Sequence, residues 1–240
     1  MKKISKSAEL LWIMGTVFIA LGIAICGKAE LGVSMIAAPA FVISEAVSGA
    51  VPFFSTGVTS YLIQGTLLLL LCVVIRRFNW RFLLTFASAV VYGYTLDLFL
   101  WILGGFSVDT VAARWVLLLV GNSISAFGVA CFFRTYLPLQ VFELFVAEIA
   151  KKFSFSVGKT KLGFDLSMLA VSVILAVTLF GDVADFDWAS IYCNAFHNVG
   201  LGTIVAAFLN SPVIALSGKL LDKLFDNTPM SQSLYKFLKI

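Results

Sequence analysis

Six apolar runs, each long enough to cross a bilayer, leave this chain few ways to fold. They cover about 10–27, 56–75, 82–103, 115–133, 162–180 and 199–216. At 1.5 Å of rise per residue, about 20 apolar residues cross the roughly 30 Å of hydrocarbon as a helix. Within lipid every backbone N–H and C=O must be satisfied internally, and an unbroken apolar run does this as a helix. The 240 residues are 60% hydrophobic and only 12% charged, about half the charge of a soluble domain. The expected fold is therefore all-α, a polytopic membrane bundle of six spans.

Two halves of the chain read alike. Gly15, Ala20, Gly22, Ala24, Lys28 and Leu31 meet Gly121, Ala126, Gly128, Ala130, Arg134 and Leu137 at one constant offset. A second block sets Phe54, Ser55, Gly57 and Thr59 against Phe155, Ser156, Gly158 and Thr160, and a weaker third sets Thr85 and Ala89 against Thr203 and Ala207. The blocks keep their order and only the loops between them change length. This divides the chain into a first three-span repeat at 1–109, a second at 110–218 and an amphipathic tail at 219–240. Three spans is an odd number, so the second repeat enters the membrane in the opposite sense to the first. Such 3+3 inverted repeats are a common way to build a transporter.

The basic residues orient the bundle. Lys2, Lys3 and Lys6 precede the first run, and Arg76, Arg77 and Arg81 join the second and third. Arg134, Lys151, Lys152, Lys159 and Lys161 lie between the fourth and fifth, and Lys219, Lys223, Lys236 and Lys239 follow the sixth. The other connections carry Asp109, Asp182, Asp185 and Asp187 instead. The positive-inside rule then places both termini in the cytoplasm. Trp12, Trp80, Trp101, Trp115 and Trp188 all fall near run ends, where an interfacial aromatic belt would put them. The first run is too long for a signal-peptide core and lacks a clean cleavage site, so it reads as a retained span. The net charge of +4 comes from these orienting clusters and does not point to nucleic acid. Cys26, Cys72, Cys131 and Cys193 have no CxxC spacing and read as small buried hydrophobes.

Two segments, about 34–47 and 137–153, are apolar but short, and each follows the first span of its half. Were the first of them to cross, Arg76, Arg77 and Arg81 would fall on the outside, against the charge pattern. Both therefore read as short helices, interfacial or re-entrant, on opposite sides of the membrane. Re-entrant backbone survives only where it lines a cavity or packs in protein. The tail from Lys219 onward mixes apolar and basic residues and is expected to lie on the cytoplasmic leaflet, broken near Pro229.

Three stretches carry a resemblance: Lys28-Ala29-Glu30-Leu31-Gly32-Val33-Ser34 after the first run, Phe155-Ser156-Val157-Gly158-Lys159-Thr160-Lys161 before the fifth, and Val199-Gly200-Leu201-Gly202-Thr203-Ile204 opening the sixth. In order and over nearly the whole chain, these resemble the bacterial YczE/YyaS/YitT-type membrane proteins. Many such proteins continue the first stretch with Pro-Trp-Asp. Met35, Ile36 and Ala37 stand there instead, so no acidic role carries over to Ala37. The resemblance implies a protein of the bacterial inner membrane and gives no substrate.

A carboxylate deep in a bilayer costs about 2.5–3.5 kcal/mol on insertion scales, so it faces a cavity or a partner. Asp97 is the clearest case, either a proton, cation or substrate site or a structural hydrogen bond to a neighbouring helix. Asp165 and Gln64 occupy matching places in the two repeats and are expected to face each other across the axis. Glu45, Glu143 and Glu148 lie in the short segments. They approach a site if those segments dip inward, and are simply solvated if the segments lie in the interface, the reading the sequence favours. Gln140 stands where a half-helix N-terminus would offer N–H groups to an anion. Asn122 and Asn210, the latter beside Pro212, are further polar candidates, with helix packing as the plain alternative. His197, the single histidine, cannot make a metal site alone and reads as an ordinary interfacial residue.

No phosphate-binding loop, HExxH or nucleophile–base pattern is present, so neither an enzyme nor an ATP-driven pump is expected, and no cofactor is called for. The expected function is a small secondary transporter or facilitator whose partners are the lipid bilayer, a small-molecule substrate and protons moving through Asp97 or Asp165. The alternative is a membrane scaffold or accessory protein that moves nothing. Re-entrant segments around a polar cavity favour the first, and surface-lying segments over a dry bundle favour the second.

Overall fold

The computed structural model of the chain describes residues 8–181, 186–226, 228–233 and 235. These form α1 (Ala8–Lys28), α2 (Ala38–Val47), α3 (Thr56–Ile75), α4 (Arg81–Ile102), α5 (Val111–Phe132), α6 (Val141–Phe153), α7 (Val157–Phe180) and α8 (Leu201–Leu224), with a 3-10 turn at Trp188–Ser190 and no named strand among the described residues. The six long helices α1, α3, α4, α5, α7 and α8 are each long and apolar enough to span a membrane. The short ones are α2 and α6. Lys2, Lys3, Lys6, Asp182, Asp185, Lys236 and Lys239 lie outside the described residues.

Two span boundaries differ most from the sequence reading. The fifth span starts earlier, at Val157, because Ser156 is a good N-cap and Lys159 and Lys161 are tolerated in the first turn. The sixth runs on to Leu224, so the stretch from Lys219 continues the span and does not start a separate surface helix there. Nothing after Gly218 breaks the helix until Phe225 turns to extended backbone.

The second repeat block is a device for starting helices. Ser55 caps α3, its Oγ accepting from Val58 N at 3.2 Å, and Thr59 Oγ1 donates back to Ser55 O at 2.9 Å. Ser156 and Thr160 do the same for α7, at 3.4 Å to Lys159 N and 3.1 Å to Ser156 O. An N-cap hydroxyl answers amides that the helix itself leaves unpaired.

The first block is a helix contact. The α1 and α5 helices run antiparallel with their backbones touching through glycine. A Cβ on Gly15 would lie 3.1 Å from Gly128 O. One on Gly22 would overlap Gly121 O and Ser125 N and lie 2.8 Å from Ser125 Cα. Gly15 and Gly121 are repeat mates, as are Gly22 and Gly128. Replacing each residue by its mate turns the Gly15–Gly128 contact into the Gly121–Gly22 contact. Two contacts that exchange in this way are what a two-fold axis through the middle of the α1–α5 pair requires. Without a hydrophobic drive between helices in lipid, such close approach of small residues supplies the packing.

Hydrogen bonds and ion pairs sort the helix termini into two ends of the bundle. At one end Lys28 Nζ donates to Gly104 O past the C-terminus of α4, and Arg114 pairs with Glu30 at 2.8 Å. Here too Gly202 N donates to Leu31 O. At the other end Arg134 makes a two-pronged bond to Asp222, at 2.6 and 2.8 Å, near the C-terminus of α8, and Tyr136 donates to Glu9 at 2.5 Å. Burial and that hydrogen bond both hold the Tyr136 phenol above its ordinary range. Lys28 and Arg134 are repeat mates, and each secures the last helix of its own half.

The halves are not identical in conformation. At the start of α3, Gly57 lies against Gly93 of α4 so closely that a Cβ would overlap Gly93 O and reach Asp97 Oδ2 at 2.6 Å. Its mate Gly158, at the start of α7, would meet only the Oγ of its neighbouring cap Ser156, at 4.0 Å. The α3 helix packs along α4, whereas α7 and α8 share no comparable packing.

Candidate functional site

Both short helices begin in the middle of the bundle and lead outward to opposite ends. The first amide of α6, Val141 N, donates to Oε1 of Gln64 at 3.3 Å, and Gln64 lies near the middle of α3 with no exposed surface. The approach to α6 is pinned at Pro138 O, which accepts from Trp12 Nε1 at 3.0 Å and Ser88 Oγ at 3.3 Å. The α6 helix then runs to Lys151 and Lys152, whose ammonium group reaches Val74 O at the end of α3. Ala37 and Ala38 at the start of α2 pack with Ile19, Ile23 and Tyr92 in the central core. From there α2 runs outward to Glu45. Both segments thus start inside the bundle and do not lie over its surface along their whole length. The solvated reading holds for Glu45, which is exposed, and not for Glu143, which is buried, 6% exposed. An Ala-Pro-Ala-Phe or Val-Phe-Glu-Leu helix start is apolar enough to enter the core, and α3, α4 and α7 surround the single carboxylate that goes with it.

Between the two helix starts lies a small cavity of about 10 Å³, room for one water molecule. Its lining falls into repeat mates. At the offset of the first block Ile19 corresponds to Ser125, Ile23 to Val129, Ser34 to Gln140, Ile36 to Phe142 and Ala37 to Glu143, and all ten line the cavity. At the offset of the third block Tyr92 corresponds to Asn210, and both line it. The remaining lining residue, Lys161, corresponds to Ser60, which hydrogen-bonds Tyr92. The cavity is therefore lined largely by residues that the sequence repeat pairs with one another.

The site is polar and incompletely paired. Gln64 Nε2, Gln140 Nε2, Glu143 Oε2 and Asn210 Oδ1 are buried with no hydrogen-bond partner among the described residues. An unpaired buried polar group costs about 1–3 kcal/mol, so three on residues that line the cavity, with Gln64 beside them, are a sign of an unmet ligand. Lys161 Nζ lies 3.3 Å from Asp165 Oδ1, one turn along α7. Lys161 and Asp165 are the charged neighbours acting on Glu143. The centre thus holds two carboxylates and one ammonium.

The sequence candidates divide accordingly. Gln140 and Asn210 line the cavity, and Gln64 braces α6 beside it. Asp165 is held by Lys161 at its edge. Gln64 and Asp165 are each held by other partners, Gln64 by Val141 N and Asp165 by Lys161. Asp97 has a different task. Its Oδ1 accepts from Gly57 N at 2.7 Å and its Oδ2 from Ser55 Oγ at 2.5 Å, so it secures the start of α3 against α4. Glu45 is exposed and binds His197 Nδ1 at 2.7 Å and Asn198 Nδ2 at 2.6 Å, away from the cavity. His197 also stacks on Phe180, so this single histidine latches α2 to α7. Asn122 is buried in α5 beside the glycine contact and does not line the cavity. Lys161 and Tyr92 were missed as central residues, and Glu143 was named only for the case that its segment turns inward. The third-block offset, which pairs Tyr92 with Asn210, would have found Tyr92.

The geometry defines an all-helical bundle of six helices long and apolar enough to cross a membrane, with two short helices that start at its centre. The chain belongs to the DUF6198 family, a family of unknown function, whose model matches residues 6–219. No curated protein and no solved structure matches the chain.

Proposed function

We propose that the chain is a small secondary transporter or facilitator, built as a 3+3 inverted repeat and working by alternating access around the cavity. The observation that carries this reading is the cavity lining: residues paired by the repeat, the starts of the two short helices, and three buried polar atoms without partners, on Gln140, Glu143 and Asn210. A site at the interface of inverted repeats, framed by discontinuous helices, is what solute carriers use. The charge pattern supports the bacterial inner membrane with both termini in the cytoplasm, and the glycine-rich stretches support kinship with the YczE/YyaS/YitT-type proteins. In this reading the proton or ion passes through Glu143 in place of Asp97, because Asp97 is committed to the α3 cap. The unequal packing of the two halves, α3 closed on α4 and α7 apart from α8, is what a carrier shows when one half is shut and the other free to move.

One observation favours the rival, an accessory protein that moves nothing: the cavity in this conformation admits only about one water. Uptake into proteoliposomes separates the two. A metabolite panel is offered to wild type and Asn210→Ala, with and without a pH gradient. Transport predicts uptake of at least one solute above empty liposomes and a loss with Asn210→Ala. No uptake of any solute by well-folded wild type would leave the accessory role.

A further inference from the structure

The central charges do not balance, and the imbalance points to what the site accepts. Glu143 and Asp165 carry two negative charges and Lys161 one positive. Lys161 is already engaged by Asp165 at 3.3 Å. That leaves Glu143, buried, with Oε2 unpaired and Asn210 Oδ1 unpaired on the same cavity wall. The other cations on helices packed against α6, Arg81 at the start of α4 and the exposed Lys159 at the start of α7, do not line the cavity. Tyr92 faces from α4 and Gln64 from α3, and Asp97 lies farther along α4 within its own cap. A carboxylate so placed stays neutral with a proton or is neutralised by a bound cation. The partial positive charge of the α6 N-terminus lowers the cost of the ionised form but supplies no whole charge.

We propose that a proton and a small monovalent cation bearing N–H donors, of the guanidinium class, compete for Glu143, so that the protein exchanges one for the other. This rests on the transport reading above and adds the charge class and the coupling. With the site empty, Glu143 carries the proton. An entering cation donates N–H groups to Glu143 Oε2 and Asn210 Oδ1, and the proton leaves to the water on the side from which the cation came. The return passage brings a proton from the other side as the cation departs. The Glu143 charge is thus covered in both occupied states. The Nε2 amides of Gln64 and Gln140 remain to hold the carboxylate when the cation binds, which accounts for unpaired donors beside unpaired acceptors.

The test uses the full chain in proteoliposomes with a trapped pH dye and an acidic interior. Guanidinium and methylguanidinium are the probes, since both keep their charge and cross lipid poorly. Tetramethylammonium (charge without donors), urea (donors without charge) and methanesulfonate (an anion) are the comparisons. The expected result is that the guanidinium probes raise internal pH in wild type and the comparisons do not. Glu143→Gln, whose folding is checked by its elution and circular dichroism, should lower the initial rate by about tenfold or more, the worth of a hydrogen bond to a charged group. Glu143→Asp should recover part of it. Uptake of urea or methanesulfonate by wild type without proton movement would overturn the exchange and leave transport standing. No movement of any charge class would remove both. The wild-type panel decides the charge class even where Glu143→Gln fails to fold.

Discussion

Replacing Gly22 by alanine tests the packing on which the axis depends. The new Cβ would overlap Gly121 O and Ser125 N and lie 2.8 Å from Ser125 Cα. Carbon atoms prefer about 3.5–4.0 Å, so α1 and α5 must part by about 1 Å at this point. All three obstructing atoms are backbone, and no side chain can swing away. Overpacking of this kind costs about 1–3 kcal/mol, here at the upper end. Alanine returns up to about 1 kcal/mol of helix propensity, less where the unfolded reference is already helical in lipid. The expected net loss is about 2 kcal/mol. Gly15→Ala is the internal control, because its Cβ meets Gly128 O and the Phe132 ring no closer than 3.1 Å, and the ring can shift. Gly128→Ala, the mate of Gly22→Ala, meets Ile19 N at 2.7 Å and Gly15 O at 2.9 Å and should fall between them. Unfolding of the three purified variants in mixed micelles, titrated with a denaturing detergent, ranks them. If Gly22→Ala is as stable as Gly15→Ala, the backbone contact does not govern the interface and the symmetry argument loses its anchor.

Asp97→Asn should cost about 1–2 kcal/mol in the same assay, because the charge-assisted bonds to Ser55 Oγ and Gly57 N weaken, while proton-coupled flux persists. Loss of flux at full stability would return Asp97 to the transport path. A Gly158→Cys/Ser211→Cys pair stands at the positions that mirror the Gly57–Gly93 contact, and should cross-link only when α7 closes on α8, stopping uptake. A failure to cross-link under any solute condition would count against the exchange of conformations between halves. Single cysteines at Ser48 and Ser154, at the outer ends of α2 and α6, should react with impermeant maleimide from opposite faces of a sealed vesicle, and labelling from one face would refute the opposed re-entrant arrangement.

Much of the bundle was legible in the sequence because lipid reduces the choices. An apolar run of some 20 residues must be a helix, and the charge pattern leaves α2 and α6 no room to cross. Their depth was not legible. Glu45 and Glu143 are both acids in short apolar segments, but one ends outside with His197 and the other is buried, because Glu45 stands near the outer end of α2 and Glu143 in the first turn of α6. Asp97 showed as an anomalous acid, yet its purpose depends on Ser55 and Gly57, some forty residues earlier and on another helix. Gln140 was legible from Pro138 and the repeat. Tyr92 and Asn210 became mates only through the weak third block, and Lys161 looked like one more orienting cation until α7 proved to begin before it.

Ala37 and Glu143 correspond at the offset of the first repeat block, and both line the cavity. Two identical half-size chains meeting in the same way could supply acids there only by twos, giving a doubly acidic centre or one without acid. Joining the halves covalently frees each to vary alone, and an odd count becomes possible: a single carboxylate in the lining, with an alanine at the corresponding place.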